Sequence, residues 1–130
     1  MPLAIHQEVT FDADRGRVYK ALTHAGEFSE FTGAEAASLD PVPGAPISLF
    51  GGHITGCNVE LVPDRRLVQA WRAASWDDGR YSIVSFQLDD DGSAATKLVC
   101  DHVGFPDAAH DELAGGWEKM YWAPLKRYLG

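Results

Sequence analysis

A chain of 130 residues, 45% of them apolar, can bury about two-thirds of its unfolded surface without disulfide staples. Its net charge of -8, with no basic run longer than Arg65-Arg66, argues against nucleic acid as a partner, because phosphate contacts need a basic face. No run reaches the ~18 apolar residues of a membrane span, and Met1 to Glu8 has neither the basic start nor the apolar core of a secretion signal, so a cytoplasmic protein without membrane partners is expected.

The chain opens with a half-buried strand over residues 3–11, where Ile5, Gln7, Val9 and Phe11 alternate with His6, Glu8 and Thr10. Asp12 is the expected cap of a first helix over residues 15–22, and Phe28 and Phe31 mark a second short helical turn over 26–31. From residue 34 the helical period gives way to turn signals: Pro41-Val-Pro-Gly44, Gly51-Gly52, Pro63-Asp-Arg65, Asp77-Asp-Gly79 and Asp89-Asp-Asp-Gly92. The runs between them, 34–39, 47–50, 54–62, 67–74, 81–88 and 96–103, read as strands. Connections this short make antiparallel hairpins, since a parallel pair needs a crossover of about a dozen residues or more. Ser82, Val84, Phe86 and Leu88, with Thr96, Leu98, Cys100 and His102, form the more apolar sides of the last two strands. Both sets are assigned to one concave face.

The last twenty residues read as an amphipathic helix. Asp107 is its expected N-cap, and Gly115-Gly116 would cost about 2 kcal/mol relative to alanine, so the regular helix begins near Gly116 or the backbone there lies close to the sheet. A broad apolar arc holds Trp117, Tyr121, Tyr128, Leu125, Pro124, Leu113 and Met120, with Lys119, Lys126 and Arg127 opposite and Glu118 inside the arc. Such a face must cover a large surface. The whole is one α+β domain over residues 1–130: a seven-stranded antiparallel sheet, two short helices after the first strand, and a long C-terminal helix.

Phe50-Gly-Gly-His-Ile-Thr-Gly56, Glu60-Leu-Val-Pro63, Val68-Gln-Ala-Trp-Arg72, Tyr81-Ser82, His102-Val-Gly104, Gly116-Trp117 and Tyr121-Trp122 with Pro124-Leu125-Lys126 together resemble the activator-of-Hsp90-ATPase homologue family. That family belongs to the START-like, or Bet v 1-like, helix-grip superfamily. The resemblance implies a seven-stranded sheet wrapped around the terminal helix, with a cavity between them. Carriers of lipids and hormones, polyketide cyclases and cochaperone domains share this fold, so it does not choose among them. Eukaryotic Hsp90 activators carry such a domain behind a separate N-terminal one. The 130 residues hold no counterpart of that N-terminal domain, and ATPase stimulation is not expected of them.

The function expected is binding of a small hydrophobic or aromatic molecule in that cavity, lined by Trp71, Phe86, Leu98, His102, Trp117 and Tyr121. A cyclase- or dehydratase-like enzyme is the alternative, with His102 and Glu118 as its weak catalytic candidates, and a Hsp90-type interaction module is a third reading. For His102 the bland reading is a core histidine bonded to a hydroxyl or carbonyl; for Glu118, an acid that reaches solvent at the edge of the arc. Arg72 is expected on the convex face beside Glu60, with Asn58 sharing Glu60's parity, and Trp76 and Trp122 at the periphery. Cys57 and Cys100 read as buried thiols, and no cysteine or histidine spacing forms a metal site. No Gly-x-Gly-x-x-Gly, Walker loop, Gly-x-Ser-x-Gly or His-Glu-x-x-His is present, so no cofactor is expected. A homodimer and a chaperone partner stay open.

Overall fold

The computed structural model describes residues 3–33, 38–90, 92 and 94–129. Strand β1 (Ala4–Phe11) is followed by helices α1 (Arg15–Thr23) and α2 (Ala25–Thr32), then β2 (Pro46–Leu49), β3 (Ile54–Val62), β4 (Arg66–Ala73), β5 (Ser82–Asp90) and β6 (Thr96–Val103). The strands form one antiparallel sheet in the order β1-β6-β5-β4-β3-β2, in which β1 returns to lie beside β6. The strand expected over 34–39 falls largely outside the described residues. Of it, Ser38 forms an isolated antiparallel bridge with Ser48. Among the described residues the sheet therefore has six strands, not seven.

Local chemistry explains the boundaries. Asp14, not Asp12, caps α1 by accepting the Arg17 backbone N–H at 2.9 Å. Gly33, at φ 71, closes α2 in the left-handed conformation that glycine adopts without strain. In the sheet, burial alternates along β5 and β6 as expected: Ser82, Val84, Phe86, Leu88, Thr96, Leu98, Cys100 and His102 are all buried, and their neighbours face outward. Along β3 the alternation breaks. The pairing of β3 with β4 shifts register between Asn58 and Glu60, so Val59 is an inserted residue and reverses the parity of everything after it.

The terminal helix is one continuous helical run. It begins with a 3-10 turn (Asp107–Ala109), continues as α3 (His110–Gly116), widens into a π-helical turn (Trp117–Trp122), and ends as α4 (Ala123–Leu129). The expected cap is not made: the Asp107 carboxylate instead accepts the Leu3 backbone N–H at 3.3 Å. Gly115 and Gly116 neither delay the helix nor touch the sheet, because a Cβ on either would meet nothing within 4 Å. In the π turn the Ala123 N–H bonds to the Glu118 carbonyl, five residues back. Each residue then advances by less than the ~100° of an α-helix. That slower rotation brings Trp122, expected at the periphery, into the core at 1% exposure beside Trp117 and Tyr121.

The core lies between this helix and the concave sheet face. Trp117 and Trp122 stack at 5.3 Å, Phe86 meets Trp117 edge-on at 5.6 Å, and Phe11 meets Trp122 at 6.2 Å. Helix α2 closes one end through Phe28 and Phe31, whose rings pack on Tyr121 at 5.7 and 6.1 Å. Full burial of each such ring contributes about 1.5–3 kcal/mol before its entropy cost. No described helix is long and apolar enough to cross a membrane.

Candidate functional site: an aromatic cavity under the terminal helix

A cavity of about 560 Å³ opens between α3, the π turn, the end of β4 and the segment that joins β2 to β3. Trp71 and Ala73 of β4 contribute its sheet side, Leu113, Gly116, Trp117, Met120 and Tyr121 its helix side, and Phe50, Ile54 and Trp76 its remaining apolar wall. The exposed residues His53, Ser75 and Glu112 mark its mouth. The volume lies within the range of small-molecule sites.

Three local structures shape this wall. Phe50 sits at φ 54, followed by Gly51 at φ 67 and Gly52 at φ 89, so the chain takes three left-handed steps between β2 and β3. That conformation is uncommon for phenylalanine. Ring contacts hold it, to Phe28 at 5.3 Å and to Tyr121 at 6.0 Å. The turn carrying Trp76 is fixed by Arg72, whose guanidinium donates to the Trp76 carbonyl at 3.0 and 2.8 Å and to the Ala73 carbonyl at 3.2 Å. Arg72 also meets Asp78 at 3.3 Å, while Glu60 pairs with Arg66 at 2.7 Å, so the expected Arg72–Glu60 pair is replaced by two others.

The third structure is a pair of stacked indoles. Trp71 and Trp117 lie 5.0 Å apart at an interplanar angle of 25°. Each is anchored through its ring N–H to a separate buried polar chain. Trp71 donates to Gln69 at 2.9 Å, Gln69 donates to Asn58 at 3.1 Å, and Asn58 donates to the Asp40 carbonyl at 2.7 Å. Trp117 donates to His102 Nδ1 at 3.3 Å. Nδ1 thus accepts, which leaves the proton on Nε2 to donate to the Ser82 hydroxyl at 2.7 Å, and Ser82 donates to the Trp71 carbonyl at 3.4 Å.

His102 is therefore a satisfied core histidine. It is fully buried, and burial pushes its pKa down to about 4. Protonation would place a second N–H against the indole donor of Trp117. Glu118 is exposed while His102 is buried, so the His102–Glu118 acid–base pair is not assembled. Of the expected lining, Trp71, Trp117 and Tyr121 reach the cavity. Phe86, Leu98 and His102 are buried in the core instead, with Phe86 stacked on Tyr121 at 6.2 Å and His102 edge-on to both indoles at 5.7 Å. Tyr121 makes no hydrogen bond among the described residues, and burial raises its phenol well above the ordinary range.

Sequence reasoning missed Asn58 as a cavity support because the Val59 bulge conceals its face, and missed Gln69 although it shares Trp71's parity on β4. It also placed Trp76 outside, though a tryptophan in the turn right after a concave strand was the available signal. Cys100 is buried as expected, and its thiol is raised by that burial, while Cys57 is half-buried. Among the described residues no group of three or more histidine, cysteine or carboxylate side chains is arranged to hold a metal.

Relatives share this architecture. The mouse activator of 90 kDa heat shock protein ATPase homolog 1 is 26% identical over 121 residues, which is 93% of this chain and 35% of that protein. The chain thus spans about a third of the length of the curated relatives it matches. An HSP90 activator from Plasmodium falciparum superposes with a TM-score of 0.92 at 21% identity, covering 98% of this chain and 96% of the other. The Aha1 dimer from Colwellia psychrerythraea superposes at 0.82 and 18% identity, covering 98% and 96%. Residues 12–130 match the model of the "Activator of Hsp90 ATPase homolog 1-like protein" family, and the chain belongs to that family.

Proposed function

We propose that the protein binds a small apolar or aromatic molecule in the cavity beneath its terminal helix. The observation that carries this reading is the wall itself: about 560 Å³ of space beside Trp71, Trp117 and Tyr121, whose positions are fixed from behind by buried hydrogen bonds and ring stacking. A side chain anchored in this way does not collapse into the space next to it, so the cavity is pre-formed and the ordering cost of binding is small. Catalysis is not part of the proposal, since His102 is buried with its pKa pushed down to about 4 and Glu118 is exposed. Native mass spectrometry of the purified chain mixed with a metabolite extract, followed by titration of tryptophan emission with a neutral naphthalene derivative, tests it. Retention of an apolar compound with saturable quenching is expected. No retained compound and no saturable change would overturn it.

Family membership favours a second reading, a module that contacts Hsp90-type chaperones through its surface. The two are compatible. Co-precipitation with Hsp90 from the same organism, with and without a cavity ligand, tests this one, and absence of binding in both cases would dismiss it.

A further inference from the structure

The fixed charge among the lining side chains is a single carboxylate, with His53 also at the mouth and the Arg72 guanidinium bonded from behind to the carbonyls of Ala73 and Trp76. Glu112 supplies a carboxylate at the mouth, and neither lysine nor arginine contributes to the wall. Glu112 is exposed and makes no ion pair or hydrogen bond among the described residues, so its charge is available to an incoming group. Deeper in, the wall is aromatic. The indole N–H groups of Trp71 and Trp117 are both committed, to Gln69 and to His102, and Trp117 is stacked on both Trp71 and Trp122, so these rings offer an apolar wall and no free donor. The net charge of the whole chain, -8, adds a field of the same sign around the mouth. An anion entering this space meets no lysine or arginine side chain in the lining, and its neutral options are the Tyr121 hydroxyl, the Trp76 indole N–H and groups at the rim.

We infer that the cavity selects apolar molecules that carry a positive charge: an aromatic or aliphatic body seated against Trp71 and Trp117, with a protonated amine or quaternary ammonium directed to Glu112. This rests on the reading of the cavity as a ligand site and adds the chemical class of the ligand. Neutral molecules of the same body bind more weakly and carboxylates most weakly. The two contributions differ in their response to salt. Attraction to exposed Glu112 is screened as ionic strength rises, whereas burial of the apolar body is not.

Three probes with one body and three charges test it: naphthylmethylamine, naphthylmethanol and naphthylacetate, titrated by calorimetry and by tryptophan emission. The amine is expected to bind about threefold more tightly than the alcohol, and the acetate more weakly than either. In Glu112→Gln the amine and the alcohol are expected to converge, and in the unsubstituted protein their gap narrows with added salt. If the alcohol binds but the amine shows no advantage, or the advantage survives Glu112→Gln, the inference about charge is overturned while the ligand site stands. Failure of all three probes to bind overturns the site and the inference together.

Discussion

Gln7 Oε1 accepts the indole N–H of Trp122 at 2.7 Å, and the same side chain donates through Nε2 to the Ala114 carbonyl at 3.2 Å. One amide on the edge strand thus binds the terminal helix ahead of the π turn, at Ala114, and at the last residue of that turn, Trp122. Leucine at this position would leave a buried indole N–H without an acceptor, at a cost of about 1–3 kcal/mol. Gln7→Leu is therefore expected to destabilise by that amount in urea unfolding. Combined with Trp122→Phe, its further cost is expected to shrink, because the orphaned donor has gone, and a double-mutant cycle measures the coupling.

His102 makes the fold sensitive to acid. Its folded pKa, about 4, lies below the ordinary 6.5, so the unfolded chain takes up the proton first. The contribution is complete above pH 6.5, is lost as pH falls towards 4, and levels off below. For a side chain buried to this extent the full loss is about 3 kcal/mol. His6 acts in the opposite sense: hydrogen bonds to Asp101 and Glu8 raise its pKa, so its contribution is present in acid and lost as pH rises. The difference between the stability curves of the unsubstituted protein and His102→Asn removes that background. It is expected to slope only between about pH 6.5 and 4.

Two glycines predict opposite outcomes. A Cβ on Gly56 would lie 1.8 Å from the Ala70 carbonyl oxygen on the paired strand, a backbone clash that no rotamer relieves. Gly56→Ala is expected to cost more than about 4 kcal/mol, or to abolish folding, as judged by circular dichroism and yield. Gly115 has open space around it in a helix, so Gly115→Ala is expected to stabilise by about 0.5–1 kcal/mol in thermal melts.

What the sequence reveals and what it conceals divide along the reach of each physical signal. Period-two burial along β5 and β6 is written in the residues, because every second side chain packs into one face. Asn58 has the same polarity in a bulged strand as in a regular one, so its turn toward the core cannot be read without the pairing register. Trp122 is hidden for a related reason. Helical projection assumes a constant angle per residue, and the π turn changes that angle where the aromatic residues are densest. Glu112 reaches the cavity because the start of the terminal helix meets the end of β4 and the β2–β3 segment in space, which spacing along the chain does not encode.

The Asn58–Gln69–Trp71 chain runs in one direction only. Its ends fix it: a main-chain carbonyl can only accept and an indole N–H can only donate, so Asn58 must give its amide hydrogens to the Asp40 and Val42 carbonyls and Gln69 must give its own to Asn58. Asn58→Asp keeps the shape and removes the donor. The new carboxylate would face two carbonyl oxygens at a site with 1% exposure, so its pKa is raised above the usual ~3.9 of aspartate. Below that value the acid is protonated, can donate to one carbonyl, and the variant is close to the parent in stability. As pH rises through it, the unfolded chain loses its proton first and the variant is progressively destabilised, by about 3 kcal/mol or more at neutral pH. The expected signature is an Asn58→Asp protein whose stability relative to the parent falls from pH 4 to pH 7 in chemical unfolding, accompanied by a change in tryptophan emission as the Trp71 anchor loosens. Equal stability of the two proteins at neutral pH would show that the chain does not hold Trp71 in place.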